Sequence, residues 1–288
     1  MLNTDYKRTP NELIARYTLE PSIKDIFVEG DSDRAIFVNY IKRRNLLYNV
    51  YTIDTIDTRD LKIISLGNIG HKNRVESLSS FFEEKLGIRK ICLFCISDKD
   101  YDFFYEDTIN NSYLLKTDFS SIESYSFNVE VMQKLINASF FKSAFLANEF
   151  IGKIIPAIKF LYLVRLVRYQ MNYTWAKVEV EKAIEIDKKG NISFDLMGYI
   201  LKLASRNHEV YSRQQEFIER YNGLEHICLN FDYRDSMHGH DYTALLNYYF
   251  QRLGREKVTV DFFEKTVIMN IEAEDLDHYP LFITLAQC

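Results

Sequence analysis

Glycine and proline are scarce in this chain of 288 residues, with 10 and 4 occurrences. Both residues interrupt regular structure, so their scarcity predicts long helices more than tight turns. No apolar run suits a membrane span, because the closest one, residues 151–169, carries four lysines and arginines. The N-terminal residues carry charges from Asp5 onward and lack the apolar core of a signal peptide. We therefore expect a cytoplasmic protein that does not cross a membrane.

Cysteine is also rare, at Cys92, Cys95, Cys228 and Cys288. The single C-x-x-C pair, Cys92 and Cys95, falls inside a predicted strand, where positions three apart face opposite sides. A second such pair, which a zinc site would require, is missing. We expect buried, reduced thiols in a reducing cytoplasm.

Acidic residues are missing from one long segment, although the net charge of the chain is −5. Between Phe150 and Val178 there is no aspartate or glutamate, whereas lysine and arginine occur five times. Lys159, Arg165 and Arg168 form the centre of this basic segment. It is either the solvated rim of a core helix or a surface that binds RNA or a partner.

The first half of the chain predicts strands and helices in alternation. Apolar runs predict strands at 24–30, 50–54, 62–68, 89–97 and 113–119, and helical spacing predicts helices at 31–44 and 74–87. We expect Asp31 or Ser32 to cap the first of these helices. Such alternation is typical of an α/β fold with a parallel sheet flanked by helices.

The second half is predicted to be mainly helical. Its helical patterns cover 129–147, 151–172, 174–187, 193–205, 209–222 and 241–254, with a late strand at 225–231 and a helical tail from 258 to 288. We predict an α/β domain over residues 21–128 and a mainly α-helical domain over residues 129–288.

Carboxylates follow two of the predicted strands. Glu29 ends the first strand, and Asp98, Asp100 and Asp102 follow the run ICLFCIS. Along an extended chain, alternate positions point to one side, and ligands of parallel sheets bind at the carboxyl ends of the strands. If the two strands are neighbours, these acids converge, and Mg²⁺ would relieve their repulsion. Taken singly, each acid is a weak signal and more simply an ordinary loop residue, whereas their combination at two strand ends is more specific.

Four segments in order resemble a known family. They are VEGDSD (28–33), SDKDYD (97–102), KTDFSSIESY (116–125) and MHGHDYTALL (237–246). The first two resemble the acidic motifs of TOPRIM domains, the metal-dependent modules of topoisomerases, bacterial primases and overcoming-lysogenization-defect (OLD) nucleases. All four together resemble the TOPRIM-like effector subunits (AriB) of the PARIS anti-phage system.

The resemblance implies a Mg²⁺-dependent nuclease in which Glu29, Asp98 and Asp100 are the catalytic and metal-binding acids. It also implies an effector of abortive infection that an ABC/AAA-type (AriA-like) ATPase subunit holds until a phage protein is sensed. Released effectors of this kind cleave host tRNA and are expected to act as homodimers. Asp31 departs from the pattern, because a basic or small residue is expected after Gly30.

Roles for the individual acids follow from this chemistry. We expect Asp98 and Asp100 to bind Mg²⁺, and Glu29 to bind it or to act as general base. Asp102 either binds a second ion or is a plain surface acid. Glu123 either returns to the site or forms a capping box with Ser120 at the start of a helix.

Two further segments contain candidate residues. In GNIGHKN (67–73), Lys72 is either a phosphate contact or part of a plain turn, since the Walker spacing is absent. His238 and His240 precede Asp241, which we expect to cap the following helix. Metal binding by the histidines is the alternative.

Two other functions compete with the tRNA nuclease. One is a DNA-nicking TOPRIM nuclease of the OLD type, which would use the same metal site. The other is a non-catalytic module that only partners the ATPase.

Overall fold

The structure is a computed structural model. It describes residues 7–62, 70–88, 92–105, 108–139, 146–172, 174–254 and 258–288. The chain forms two compact units. The first unit contains the residues up to Asp118 together with Ile271–Cys288, and the second unit is Phe119–Asn270. The first unit thus ends before the predicted boundary at residue 128 and includes the C-terminal segment assigned to the helical domain.

The first unit is built on a four-stranded parallel sheet. Its elements up to Asp118 are helix α1 (Pro10–Leu19), strand β1 (Asp25–Val28), α2 (Asp31–Arg43), β2 (Asn49–Thr52), α3 (His71–Leu86), β3 (Leu93–Ser97) and β4 (Leu114–Lys116). The strand order is β2-β1-β3-β4 with every pairing parallel. The predicted α/β class is confirmed. The strand predicted at 62–68 lies almost entirely outside the described residues.

Successive side chains along each strand point to opposite faces of the sheet, and both faces are packed. Phe27, Leu93 and Cys95 are fully buried in a core that α1 and α3 complete. The side chain of Phe94 points to the opposite face and contacts the ring of Tyr48. Burial on both faces explains why these strands are nearly continuous in apolar residues.

Helix α1 is not among the elements predicted from the sequence. Thr9 and Glu12 form a capping box at its start: the Thr9 N–H donates to the Glu12 carboxylate at 2.6 Å, and the Glu12 N–H donates to Thr9 Oγ1 at 3.3 Å. At its other end the Tyr17 hydroxyl donates to Asp25 Oδ2 at 2.8 Å. The buried Asp25 carboxylate therefore joins α1 to the first strand.

The second unit is mainly helical. Its elements are α4 (Val129–Ser139), α5 (Ala147–Asn172), α6 (Val180–Ala183), β5 (Ile184–Ile186), β6 (Ile192–Phe194), α7 (Leu196–Ala204), α8 (His208–Ser212), α9 (Gln214–Ile227), α10 (Gly239–Arg252) and α11 (Val260–Met269). None of the helices in the described ranges is long and apolar enough to cross a membrane.

Two predictions for this unit are wrong. The helix predicted at 174–187 is a single turn followed by an antiparallel hairpin of β5 and β6. Ile184 and Ile186 are buried on either side of exposed Glu185, which is a two-residue period, and Gly190 supplies the positive φ of 77° for the turn. The strand predicted at 225–231 is the end of α9 and a 3-10 turn.

The C-terminal segment Ile271–Cys288 is helical, as predicted. It contributes α12 (Ala273–Leu276) and α13 (Pro280–Gln287) to the first unit. The ring of Phe282 packs against Phe37 and Tyr40 of α2, with centroids 5.6 and 4.8 Å away. Helix α2 is therefore held by the last helix of the chain.

The cysteines are not all reduced, contrary to expectation. Cys92 and Cys288 form a disulfide, with Cα atoms 5.7 Å apart, whereas Cys95 and Cys228 are buried free thiols. Cys92 lies immediately before β3 and is only half-buried. The sequence pattern could not show that α13 brings Cys288 to it.

This disulfide predicts a measurable loss of stability on reduction. It closes a very long loop, so breaking it should lower the free energy of unfolding by about 2–5 kcal/mol. Thermal denaturation with and without a thiol reductant measures this loss. Cys288→Ser should melt like the reduced protein and should not respond to the reductant. Equal melting of the oxidised and reduced wild-type protein would contradict the prediction.

Candidate active site

Adjacent parallel strands bring two of the predicted acidic segments together. Strand β1 pairs with β3 in a register that places Phe27 beside Cys95, so both strands end at the same edge of the sheet. Glu29 follows β1, and Asp98 follows β3. The backbone N–H of Asp98 donates to Glu29 Oε1 at 3.0 Å. The predicted convergence of these two segments is present.

The acidic loop after β3 is not extended, so the alternation argument for it was wrong. Asp100 has a positive φ of 48°, in the left-handed region that aspartate tolerates better than most residues. The N–H of Asp102 donates to the carbonyl of Lys99 at 2.8 Å, and a 3-10 turn begins at Asp102. The three aspartates therefore lie around a turn.

Lys72, in the first turn of α3, reaches this acidic loop. Its ammonium group donates to the Lys99 carbonyl at 3.0 Å and to Asp102 Oδ1 at 2.9 Å, and it lies 3.3 Å from Asp100 Oδ2. Burial alone would lower the pKa of Lys72, but Asp100 and Asp102 outweigh it and the pKa is raised. Lys72 is therefore part of the acidic site and not of an isolated turn.

A second lysine, Lys116 at the end of β4, also binds Asp102. The distance from its Nζ to Asp102 Oδ2 is 2.8 Å, and it forms a second, very close ion pair with the buried Glu76 of α3. The Ser97 hydroxyl donates to the same Glu76 carboxylate at 3.2 Å. Sequence reasoning missed Glu76 and Lys116. The helical pattern of α3 could have placed Glu76 near its buried face, but only the strand order places Lys116 opposite it.

Glu29 is held in surroundings that disfavour its charge. Burial raises its pKa well above the ordinary value, and the nearby Asp100 and Asp33 raise it further. Asp33 is fixed because it accepts the Gly30 N–H at 2.8 Å. Gly30 is therefore the N-cap of α2, and neither Asp31 nor Ser32 takes that position as predicted.

The described residues contain no cluster of three or more histidine, cysteine, aspartate or glutamate side chains arranged to hold a metal ion. Mg²⁺ needs only one or two protein carboxylates because it keeps several waters, so metal binding at this edge of the sheet stays a prediction. A divalent cation would also stabilise the charged form of Glu29, which burial and Asp100 now oppose. Glu29, Asp98 and Asp100 are the residues that could hold it.

Glu123 lies in the second unit, in a separate polar cluster. It is buried in a 3-10 turn, Ile122–Ser126, and a methyl group at Gly239 would overlap its carboxylate. Burial and the nearby Glu264 raise its pKa. The capping box with Ser120 is not formed, because the Ser120 hydroxyl donates to the carbonyls of Arg234 and Met237. A role for Glu123 in catalysis stays a prediction.

His238 and His240 lie at the start of α10 and have different surroundings from each other. His238 is the N-cap residue of α10, and His240 Nδ1 lies 2.9 Å from Glu264 Oε2. The hydrogen bond to Glu264 raises the pKa of His240. Asp241 does not cap the helix as predicted, because it forms an ion pair with Arg165.

The basic segment of α5 makes internal contacts. Arg165 Nε donates to Asp241 Oδ2 at 2.6 Å, Arg168 donates to the carbonyl of Trp175, and Lys159 Nζ donates to the carbonyl of Cys228 at 2.8 Å. Arg165 is only 14% exposed. All three residues are partly exposed, so RNA or partner binding by them stays a prediction.

Comparison with protein-family models finds none that matches this chain, and comparison with curated proteins also finds no match. The resemblance to TOPRIM effectors therefore depends on the four motifs alone.

The raised pKa of Glu29 predicts a pH-dependent stability in the metal-free protein. Folding favours the protonated form of Glu29. Its contribution to stability is therefore full at pH values below the ordinary glutamate pKa, and it is lost as the pH rises through the raised pKa of the folded protein. Glu29→Gln keeps the neutral shape. In chelator, the stability of the variant relative to the wild type should rise as the pH increases from 5 to 8.

Chemical denaturation across this pH range measures the difference. Glu84→Gln is the control, because the exposed Glu84 has a lowered pKa and its contribution is constant above pH 5. A Glu29→Gln profile parallel to the wild-type profile would contradict the prediction.

Proposed function

We propose that this protein is a Mg²⁺-dependent TOPRIM-like nuclease with its active site at the carboxyl edge of the sheet in the first unit. The observation that carries the proposal is the hydrogen bond between the Asp98 N–H and Glu29, which joins the ends of two adjacent parallel strands. Asp100 and Lys72 complete a site with both acids and a cation. Carboxylates with a nearby ammonium group suit phosphodiester chemistry.

Each residue of this site would have its own role in the proposed reaction. Glu29, Asp98 and Asp100 would hold the ion, and bound Mg²⁺ would polarise the phosphate and stabilise charge on the oxygens of the reaction. Glu29, whose pKa is raised by burial and by Asp100 and Asp33, is suited to accept a proton from the attacking oxygen. Lys72 would hold Asp100 and Asp102 in position and add a positive point charge beside the phosphate.

The finer parts of the proposal come from the motif resemblance. We propose RNA, with tRNA foremost, as the substrate, and an ABC/AAA-type ATPase as the partner that holds the protein until phage infection. We also propose that the released protein acts as a homodimer in abortive infection. DNA nicking of the OLD type and a non-catalytic ATPase-binding role are the alternatives that the substrate test separates.

The nuclease proposal predicts that the acids at the sheet edge are essential. Purified protein with Mg²⁺ should cleave total tRNA and leave supercoiled plasmid intact, and a chelator should abolish cleavage. Asp98→Asn, Asp100→Asn and Glu29→Gln should each lower the cleavage rate by about 100-fold or more, because each removes a metal ligand or base. Gel assays of both substrates measure this.

The matched control is Glu84→Gln, which changes an exposed acid on α3 remote from the loop. It should cleave at the wild-type rate, and circular dichroism should show all variants folded. Plasmid nicking would favour the OLD-type alternative. Cleavage that survives in all three site variants, or no cleavage of either substrate, would contradict the proposal.

A further inference from the structure

A groove of about 350 Å³ opens on the surface of the second unit, where α5, β6 and α9 meet. Its walls are aromatic: the ring of Phe160 is stacked with that of Phe194 at a centroid distance of 4.6 Å and lies 6.1 Å from that of Tyr221. Phe160 and Tyr221 are buried, whereas Phe194 is 40% exposed. The groove therefore offers a ligand an exposed ring that is held in place by a buried one.

Polar side chains line the same groove. The Lys159 ammonium group donates to the carbonyl of Cys228 at 2.8 Å, and within the described part of the chain it makes no other hydrogen bond and no ion pair. Two of its three N–H donors are therefore left for a ligand. Asn222 and Glu225 of α9 are exposed and add an amide and a carboxylate.

An exposed ring beside an ammonium group matches the two parts of a nucleotide. Every base has a flat π-face and stacks on aromatic side chains whatever its identity. A phosphate binds an ammonium group as a point charge. Amide and carboxylate side chains such as Asn222 and Glu225 form hydrogen bonds with the edges of bases.

The charge in the groove favours such a ligand over an apolar segment of a protein. The segment from Phe150 to Val178, which supplies Lys159, contains no acidic residue. An apolar partner would remove the Lys159 ammonium group from water without giving it a negative charge, which is unfavourable. A phosphate backbone supplies that charge.

The open rim of the groove favours a nucleotide within a chain over a free one. Leu229 at the rim is 62% exposed, and Phe194 is also open to water. Sites for free small ligands usually enclose most of the ligand surface, which so open a groove does not do. In a duplex the bases are paired and stacked, so a base that stacks here has to be unpaired.

We propose that this groove binds an unpaired nucleotide of single-stranded RNA, with the base stacked on Phe194 and the phosphate bound by Lys159. The choice of RNA depends on the proposed nuclease function. Binding in the groove itself requires neither a metal ion nor the acids of the first unit. The groove is then a second contact for the substrate, separate from the residues proposed to cleave it.

The test is the fluorescence anisotropy of a labelled pool of single-stranded RNA, about ten nucleotides long, with the full-length protein in chelator. Phe194→Ala should weaken binding about tenfold, because it removes the ring on which the base stacks. Phe194→Leu keeps an apolar side chain and should show the same loss. Phe194→Tyr keeps the ring and should bind like the wild type.

The role of Lys159 has its own readout, the dependence of binding on salt. Lys159→Met should lower the slope of log K against log salt concentration by about 0.7, the value for one phosphate contact on a single strand. Lys159→Arg keeps the charge and should keep the slope. A purely structural role of Lys159 would leave the slope unchanged in both variants.

Matched controls lie outside the groove. Phe262→Ala removes a ring of α11 that is 61% exposed, and Lys202→Met removes a lysine that also donates to a backbone carbonyl, that of Lys182. Both variants should bind RNA like the wild type. Asp98→Asn should do the same in chelator, because the groove does not include it. Melting curves establish that each variant is folded.

The outcomes distinguish this inference from the nuclease proposal. If the wild type does not bind the RNA pool, or if folded Phe194→Ala or Phe194→Leu binds it equally well, the inference is overturned, whatever the cleavage assay shows. Equally tight binding of free nucleoside monophosphates or of duplex RNA would overturn the assignment to an unpaired nucleotide of a chain. Tighter binding of single-stranded DNA would overturn the choice of RNA. Binding that depends on Phe194, without Mg²⁺-dependent cleavage, would support the groove and contradict the nuclease.

Discussion

The parallel pairing of β1 with β3 is the contact on which the candidate site depends. Its register sets Phe27 beside Cys95, and the two chains then leave the sheet together at Glu29 and Asp98. A shift of one residue would turn the side chains of one strand to the opposite face. The buried core on both sides of these strands therefore stabilises the fold and also fixes the position of the acids.

Besides this strand pairing, carboxylates and lysines interact with one another at the carboxyl edge of the sheet. On one side, Glu29 is half-buried, and this burial together with the nearby Asp100 and Asp33 raises its pKa. On the other side, Lys72 and Lys116 already satisfy Asp102. The same edge of the sheet thus holds one acid whose charge is disfavoured and another that binds two lysines.

The sequence predicted the features that depend on local pattern. Continuous apolar strands, the stripe of α2 and the positions of Glu29 and Asp98 follow from periodicity and from the topology of parallel sheets. The hairpin after α6 was missed because Val180, Ala183 and Ile184 have helical spacing, whereas Ile184 and Ile186 have the two-residue period of a strand. Gly190, in a chain with little glycine, was the signal for a turn.

Contacts between distant parts of the chain could not be predicted from pattern. The Cys92–Cys288 disulfide depends on where α13 packs, and the ion pair of Lys116 with Glu76 depends on β4 lying beside β3. Asp100 adopts a left-handed backbone conformation, which is unusual for a residue other than glycine and forms the turn. The alternation expected for an extended chain therefore did not predict where the side chains of this loop point. These long-range contacts are also the ones that place the lysines among the acids.

Diffraction from crystals soaked in Mn²⁺ tests the central claim most directly, because the anomalous signal locates the ion among named side chains. The account predicts a peak at the carboxyl edge of the sheet, in contact with Glu29 and with Asp98 or Asp100. The absence of a peak at this edge would contradict it.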